Sequence, residues 1–139
     1  MRVCLYYIGK PRDAHANAMA EEYLKRAARF ARCQMREIEP RRFDPWQRHP
    51  AAGIILLEAA GAVVTSAQFT ALVAKAEQEN RDLVFVVGGA EGYPAGWRER
   101  PGTRLALSAL TLPHELARVV LAEQIYRAFA TLRRHPYPR

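Results

Sequence analysis

Cysteine, lysine and long apolar runs are what this sequence has least of. Its two cysteines, Cys4 and Cys33, stand far apart and in no CxxC pair. That excludes a disulfide framework and a zinc-ligand spacing, so no metal is expected and a reducing, cytoplasmic setting fits. No apolar stretch approaches the ~20 residues that cross a bilayer, and no membrane partner is expected. The opening MRVCLYYIGK has a short apolar core and no small-residue cleavage site, and it reads as a first strand instead of a signal peptide. Only Lys10, Lys25 and Lys75 of the 21 cationic residues are lysines. The formal charge of +7 is thus carried almost entirely by arginine, whose planar fork suits phosphate and stacks on bases. Charge alone favours an anionic partner without specifying one. Neither GxGxxG nor GxxxxGK[ST] occurs, which argues against a dinucleotide-binding oxidoreductase and a P-loop.

What is present is enough for a core. The chain has 139 residues, half of them hydrophobic, and one domain spanning 1–139 is expected. Arg2 to Ile8 reads as a buried strand stopped by Gly9. A helix follows, with Asp13 as N-cap and Met19, Tyr23, Ala27 and Phe30 along its inner face. Cys33 to Glu39 reads as a more exposed strand. PRRFDPWQRHP holds Pro40, Pro45 and Pro50 and is expected to be a loop, because interior prolines remove backbone donors. GIILLE, Gly53 to Glu58, is a continuous apolar run of the kind a parallel sheet buries on both faces. After a small-residue turn, Thr65 to Gln68 fits a capping box, and Phe69, Leu72, Val73 and Ala76 form one helical face. Asp82 to Val87 and Arg104 to Leu107 read as the last strands. The final helix is expected from about His114 to Leu132, with an apolar surface wider than one stripe, which calls for neighbours on both sides: either its own sheet and a partner subunit, or two layers of one domain. Alternating strands and helices predict an α/β fold with a mainly parallel sheet flanked by helices.

In that class ligands sit in loops beyond the carboxyl ends of strands. Three loops qualify: the one after Glu58, GGAEG (Gly88 to Gly92), and LSALTLPHELAR (Leu107 to Arg118). GGAEG is spaced GGxxG, and Glu91 would repel a pyrophosphate. Taken alone it is either a tight turn or a backbone approach to a neutral or cationic ligand. LSALTLP offers amides, carbonyls and the apolar Leu107, Leu110 and Leu112, a mixture suited to an adenine and a short aliphatic arm. An ordinary connection with Pro113 at the helix start remains the other reading. Glu91, Glu115 and Glu123 are the acids nearest these loops, and no spacing selects one as a base. His114, beside a helix start, is better placed to hydrogen-bond than to hold a proton, while His15 and His49 are expected to be exposed. The basic tail Arg133 to Arg139, with His135 and Tyr137, suits single-stranded or looped RNA, or else is a frayed terminus.

GGAEG, LSALTLPHELAR, AEQIYRA and HPY, in this order and spacing, resemble the RlmH-type 23S ribosomal RNA methyltransferases of the SPOUT superfamily. IGK at Lys10, EEYLKR around Tyr23 and LLExxG ending at Gly61 also fit. The resemblance implies a cytoplasmic homodimer that uses S-adenosyl-L-methionine to methylate N3 of a pseudouridine in helix 69 of the large-subunit RNA, on the 70S ribosome. It implies a sheet whose C-terminal part forms a deep trefoil knot, a rare exception to the rule against knots. By motif, Leu57, Gly89, Ser108, Ala109, Leu110, Thr111, Leu112 and Pro113 would hold the cofactor. Tyr137 and Arg139, with His135, would position the pseudouridine beside the cofactor of the facing subunit. Some positions depart from the pattern. Arg134 stands where asparagine is usual, Pro138 replaces a second histidine, Ala62 replaces a lysine, and the segment from Glu39 to Gly53 is short. They leave a competing expectation: a non-catalytic RNA- or ribosome-binding member of the same fold.

Overall fold

The computed structural model describes residues 1–138. Strands β1 (Arg2–Ile8), β2 (Arg32–Ile38), β3 (Gly53–Val63), β4 (Leu83–Val87) and β5 (Thr103–Ala106) form one sheet in the order β2-β1-β4-β3-β5. Every neighbouring pair is parallel. Helices α1 (Ala14–Ala27), α2 (Pro45–Arg48), α3 (Ser66–Gln78) and α4 (His114–Leu132) complete the chain, with a single 3-10 turn at Trp97–Glu99. All five residues of β4 are buried, as a central parallel strand with both faces covered requires.

Register assigns the two faces. Val3, Leu5 and Tyr7 lie opposite Leu83, Phe85 and Val87, and these pack in one core with Ala20, Leu24 and Ala27 of α1, Phe69, Val73 and Ala76 of α3, and the buried side of α4. The three long helices therefore share one face. The other face, with Cys4, Tyr6, Ile54, Leu56, Val84 and Val86, is covered by Ile38, Phe43, Trp46, Tyr93 and Trp97. No long helix covers it; an aromatic layer does, with Phe43 edge-on to Tyr6 at 4.9 Å and Trp46 edge-on to Trp97 at 5.3 Å.

Several sequence expectations change here. The carboxylate of Asp13 caps α1 by accepting from His15 and Ala16 N–H, but the inner face runs through Ala20, Leu24 and Ala27, and Met19 is 54% exposed. Small alanines let α1 lie close on α4, and that seam sets the helix rotation. The proline-rich segment is not wholly loop: Asp44 caps a one-turn helix through Trp46 and Gln47 N–H, and Pro45 sits in its first turn, where the missing N–H costs nothing. His49 is not exposed but half-buried, its Nε2 2.7 Å from the Tyr6 hydroxyl. β3 does not stop at Glu58. It continues to Val63, with Leu57 and Ala62 both registered on Leu105 and a bulge between them. The Thr65–Gln68 capping box is formed in both directions.

Most of the apolar surface of α4 is covered within one chain, although Leu116 is 45% exposed. The helix packs against both α1 and α3 above the sheet, burying Val119, Leu121, Ala122, Ile125, Tyr126, Ala128, Phe129 and Ala130. Among the described residues no helix is long and apolar enough to cross a membrane.

Candidate functional site

A cavity of about 200 Å³ lies over the carboxyl ends of β3, β4 and β5. Leu57, Glu58 and Ala59 enter it from β3, Val87, Gly88 and Gly89 from the end of β4, and Leu105 and Ala106 from β5. Leu107, Ser108, Leu110, Thr111 and Leu112 form one wall, and His114 and Ala117 of α4 close it. Of the residues assigned by motif to a cofactor, Leu57, Gly89, Ser108, Leu110, Thr111 and Leu112 line this cavity. Ala109 and Pro113 lie in the same loop without lining it. Pro113 occupies the N-cap of α4, at φ −56°, and supplies no capping side chain.

The loops owe their shape to local bonds. Gly92 N–H donates to Gly89 O at 3.0 Å, closing GGAEG into a tight turn. A Cβ on Gly89 would stand 2.9 Å from Ile8 O, so this glycine lets the loop cross the end of β1. Tyr93 Oη lies 2.6 Å from Leu57 O and 2.7 Å from Val86 O, tying the ends of β3 and β4 together. Burial, above all, holds that phenol protonated well beyond its usual range. In the wall, Leu110 N–H donates to Ser108 Oγ at 2.9 Å, a side-chain turn that leaves Leu110 76% exposed.

The charges at the cavity differ from the sequence expectation. Glu91 is exposed and lines a neighbouring depression with Glu39 and Arg41. The carboxylate that lines the cavity is Glu58, paired with Arg98 at 2.9 Å. Arg98 comes from the segment after GGAEG, at a distance in sequence that no local spacing reveals. Glu115 also turns away, accepting from Arg12 and Asp13 N–H at 2.7 and 3.1 Å. It thereby fastens the start of α4 to the loop after β1. One turn further, Arg118 is buried, with Nη1 donating to Asn17 Oδ1 at 3.0 Å and its guanidinium 3.7 Å above the Tyr7 ring.

No described tail residue lines the cavity. Tyr137 folds back on α4, donating from its hydroxyl to Glu123 Oε2 at 2.7 Å, with its ring 4.4 Å from that of Tyr126. Glu123 also pairs with Arg127 at 2.8 Å. Burial first, then the bond to Glu123, raises the Tyr137 hydroxyl far above an ordinary phenol. His135 Nδ1 accepts from Tyr137 N–H, its ring sits edge-on to Phe30, and Arg133 pairs with Glu77 of α3. Arg139 lies outside the described residues. No group of three or more His, Cys, Asp or Glu placed to hold a metal occurs among the described residues.

A parallel sheet with an apolar cleft over its strand ends, bounded by amide-rich loops without a phosphate cradle, is the arrangement in which α/β proteins bind small molecules. A family model described as "Predicted SPOUT methyltransferase" matches residues 1–138, and the chain belongs to that family. It is 56% identical, over the full length of both chains, to the ribosomal RNA large subunit methyltransferase H of Solibacter usitatus. Proteins of the same name from Sorangium cellulosum and Gemmatimonas aurantiaca are each 36% identical, over 99% of both chains. The family resemblance carried by GGAEG, LSALTLPH and HPY is thereby borne out.

Proposed function

We propose that this chain transfers a methyl group from S-adenosyl-L-methionine to N3 of a pseudouridine in helix 69 of large-subunit ribosomal RNA. It would do so on the assembled ribosome, in the cytoplasm, as a homodimer of one-domain subunits with a knotted C-terminal region. The observation that carries the reading is the convergence of the β3 end, GGAEG and LSALTLP on one cavity. The relatives' shared name supplies the substrate class.

The residues present fit the cofactor. Val87, Leu105, Leu107, Leu110 and Leu112 give an apolar lining for an adenine, and Glu58 gives the one carboxylate among the described lining residues to a ligand that carries positive charge. The cofactor supplies an electrophilic methyl group. The protein's task is placement, since holding two reactants in line removes much of the entropic barrier. Leu57, Gly89 and 108–113 are assigned to holding the donor. Tyr137, whose single hydroxyl proton is donated to Glu123 Oε2, is suited to accept a hydrogen bond from the base through its oxygen and so to orient it, not to take the N3 proton. Arg139 and His135 are assigned with it to positioning the pseudouridine.

The absence of described tail residues from the cavity supports a composite site in which the tail of one protomer serves the cavity of its partner. Exposed Met19, Leu110 and Leu116 supply apolar surface for such pairing. The test is the mass of the helix 69 fragment after ribosomes lacking the modification are incubated with protein and S-adenosyl-L-methionine. A gain of one methyl on the pseudouridine is expected. Ribosome binding with no mass gain would instead favour the non-catalytic reading, for which the altered Arg134 and Pro138 speak.

A further inference from the structure

We infer that Glu58 makes the cavity favour a positively charged methyl donor over its neutral thioether product, and that Arg98 sets the size of that preference by competing for the same carboxylate. The inference rests on the cavity being the S-adenosyl-L-methionine site.

Donor and product differ at sulfur by one methyl group and one positive charge. The apolar walls sense only the methyl, a small difference in a hydrophobic pocket. The charge is sensed by Coulomb attraction, which is strong at a few ångströms in a partly desolvated cleft. Glu58 is the one carboxylate among the described lining residues, and its side chain is only 15% exposed. Its partner Arg98 is 62% exposed. The two ends of this pair are held very differently. Glu58 is fixed on β3 between Leu57 and Ala59, while the Arg98 guanidinium reaches in from solvent on the Trp97–Glu99 turn, whose backbone is anchored by buried Trp97.

An ion pair with one end mostly in water is held weakly. Arg98 can therefore leave Glu58 when a cation enters, and the half-buried carboxylate is never left without a counter-charge. Once the methyl is transferred, the sulfur is neutral and Arg98 can return. The exchange makes product release favourable at the step where the cofactor's charge disappears. Glu91, although it belongs to the GGAEG motif, does not line the cavity and is exposed, so it does not serve this role.

The test is calorimetric binding of three probes to the intact protein: S-adenosyl-L-methionine, S-adenosyl-L-homocysteine, and sinefungin, which carries an amine where the sulfonium stands. In Glu58→Gln, affinity for the two cationic probes is expected to fall at least fivefold while S-adenosyl-L-homocysteine changes less than twofold. In Arg98→Ala, the preference for S-adenosyl-L-methionine over S-adenosyl-L-homocysteine is expected to rise at least twofold. Equal losses for all three probes in Glu58→Gln, or no loss, overturn the inference while the cofactor assignment stands. If Glu58→Gln does not fold, Arg98→Ala decides, and an unchanged preference there overturns the inference. Failure of the wild-type protein to bind any of the probes overturns the cofactor assignment and this inference together.

Discussion

Replacing Gly61 by alanine is the perturbation whose cost the structure defines most closely. Gly61 lies in the β3 bulge, where the strand leaves its register on Leu105 at Leu57 and regains it at Ala62. A Cβ there would stand 2.7 Å from Leu105 N and 2.8 Å from the carbonyl carbon of Arg104. Both atoms are backbone, so no rotamer change relieves the clash, and either the bulge flattens or β5 moves outward. Overpacking of this kind costs about 1–3 kcal/mol, and for a chain of this length each kcal/mol lowers Tm by roughly 3–6 °C. G61A is therefore expected to melt about 3–18 °C below wild type. Gly53→Ala is the matched control, because its new Cβ would meet the flexible Leu83 side chain at 3.3 Å, and less than about 1 kcal/mol is expected. β5 leads directly into the cavity wall at Leu107, so G61A should also weaken S-adenosyl-L-methionine binding by calorimetry while G53A leaves it intact. A G61A protein that melts with G53A and binds equally well would refute the reasoning.

Three further outcomes are expected. Tyr137→Phe keeps the ring against Tyr126 but loses the bond to Glu123, a change of about 1 kcal/mol in stability; methyl transfer to ribosomes should fall at least tenfold with cofactor affinity unchanged, and full turnover would remove Tyr137 from the positioning role. Arg118 is buried with its Nε lacking a partner among the described residues, and burial lowers its pKa. Arg118→Met should lie within about 1 kcal/mol of wild type and Arg118→Ala should lose about 2–4 kcal/mol of packing; equal losses in urea melts would show that the charge itself is needed. The hydrogen bond from Arg133 holds the Glu77 carboxyl below its ordinary 4.5. The pair's contribution is thus present at neutral pH and lost as pH falls from that value through the folded-state pKa. With both side chains about one-third exposed, the gap between wild type and Glu77→Gln should be at most ~1 kcal/mol at pH 7 and should shrink as pH falls below 4.5; a pH-independent gap would contradict this.

The sequence was most legible where local chemistry decides structure. Asp13, Thr65 with Gln68, and the β-branched run of β4 mark their elements without help from distant residues. The His114–Leu132 helix was read at its observed bounds, because Pro113 and the apolar pattern that follows are local signals. Tertiary choices were harder to read. Met19 and Ala20 are equally compatible with a helical stripe, and only the seam with α4 selects the alanine. Ala59 to Val63 looks like a turn because small residues lack strand preference, yet β5 pairs with it. Pro45 was read as a breaker, although a proline just after a capping aspartate starts a helix as readily as it ends one. At the site, the three loops were identifiable as motifs and do meet. Glu91, Glu115 and Glu123 are the acids nearest the loops in the sequence, yet Glu58 is the one that lines the cavity, and its partner Arg98 arrives from 40 residues downstream.

Helix α4 carries the cavity wall at His114 and Ala117 and the tail anchor at Glu123. Inserting a single residue between Ala117 and Glu123 would turn the anchor by about 100° and advance it ~1.5 Å along the axis. The same insertion in the segment from Glu39 to Ala52, which holds only a one-turn helix, disturbs no such relation. Length changes are therefore expected to be tolerated around residues 39–52, while the spacing from His114 to Glu123 acts as a ruler between the cavity and the tail.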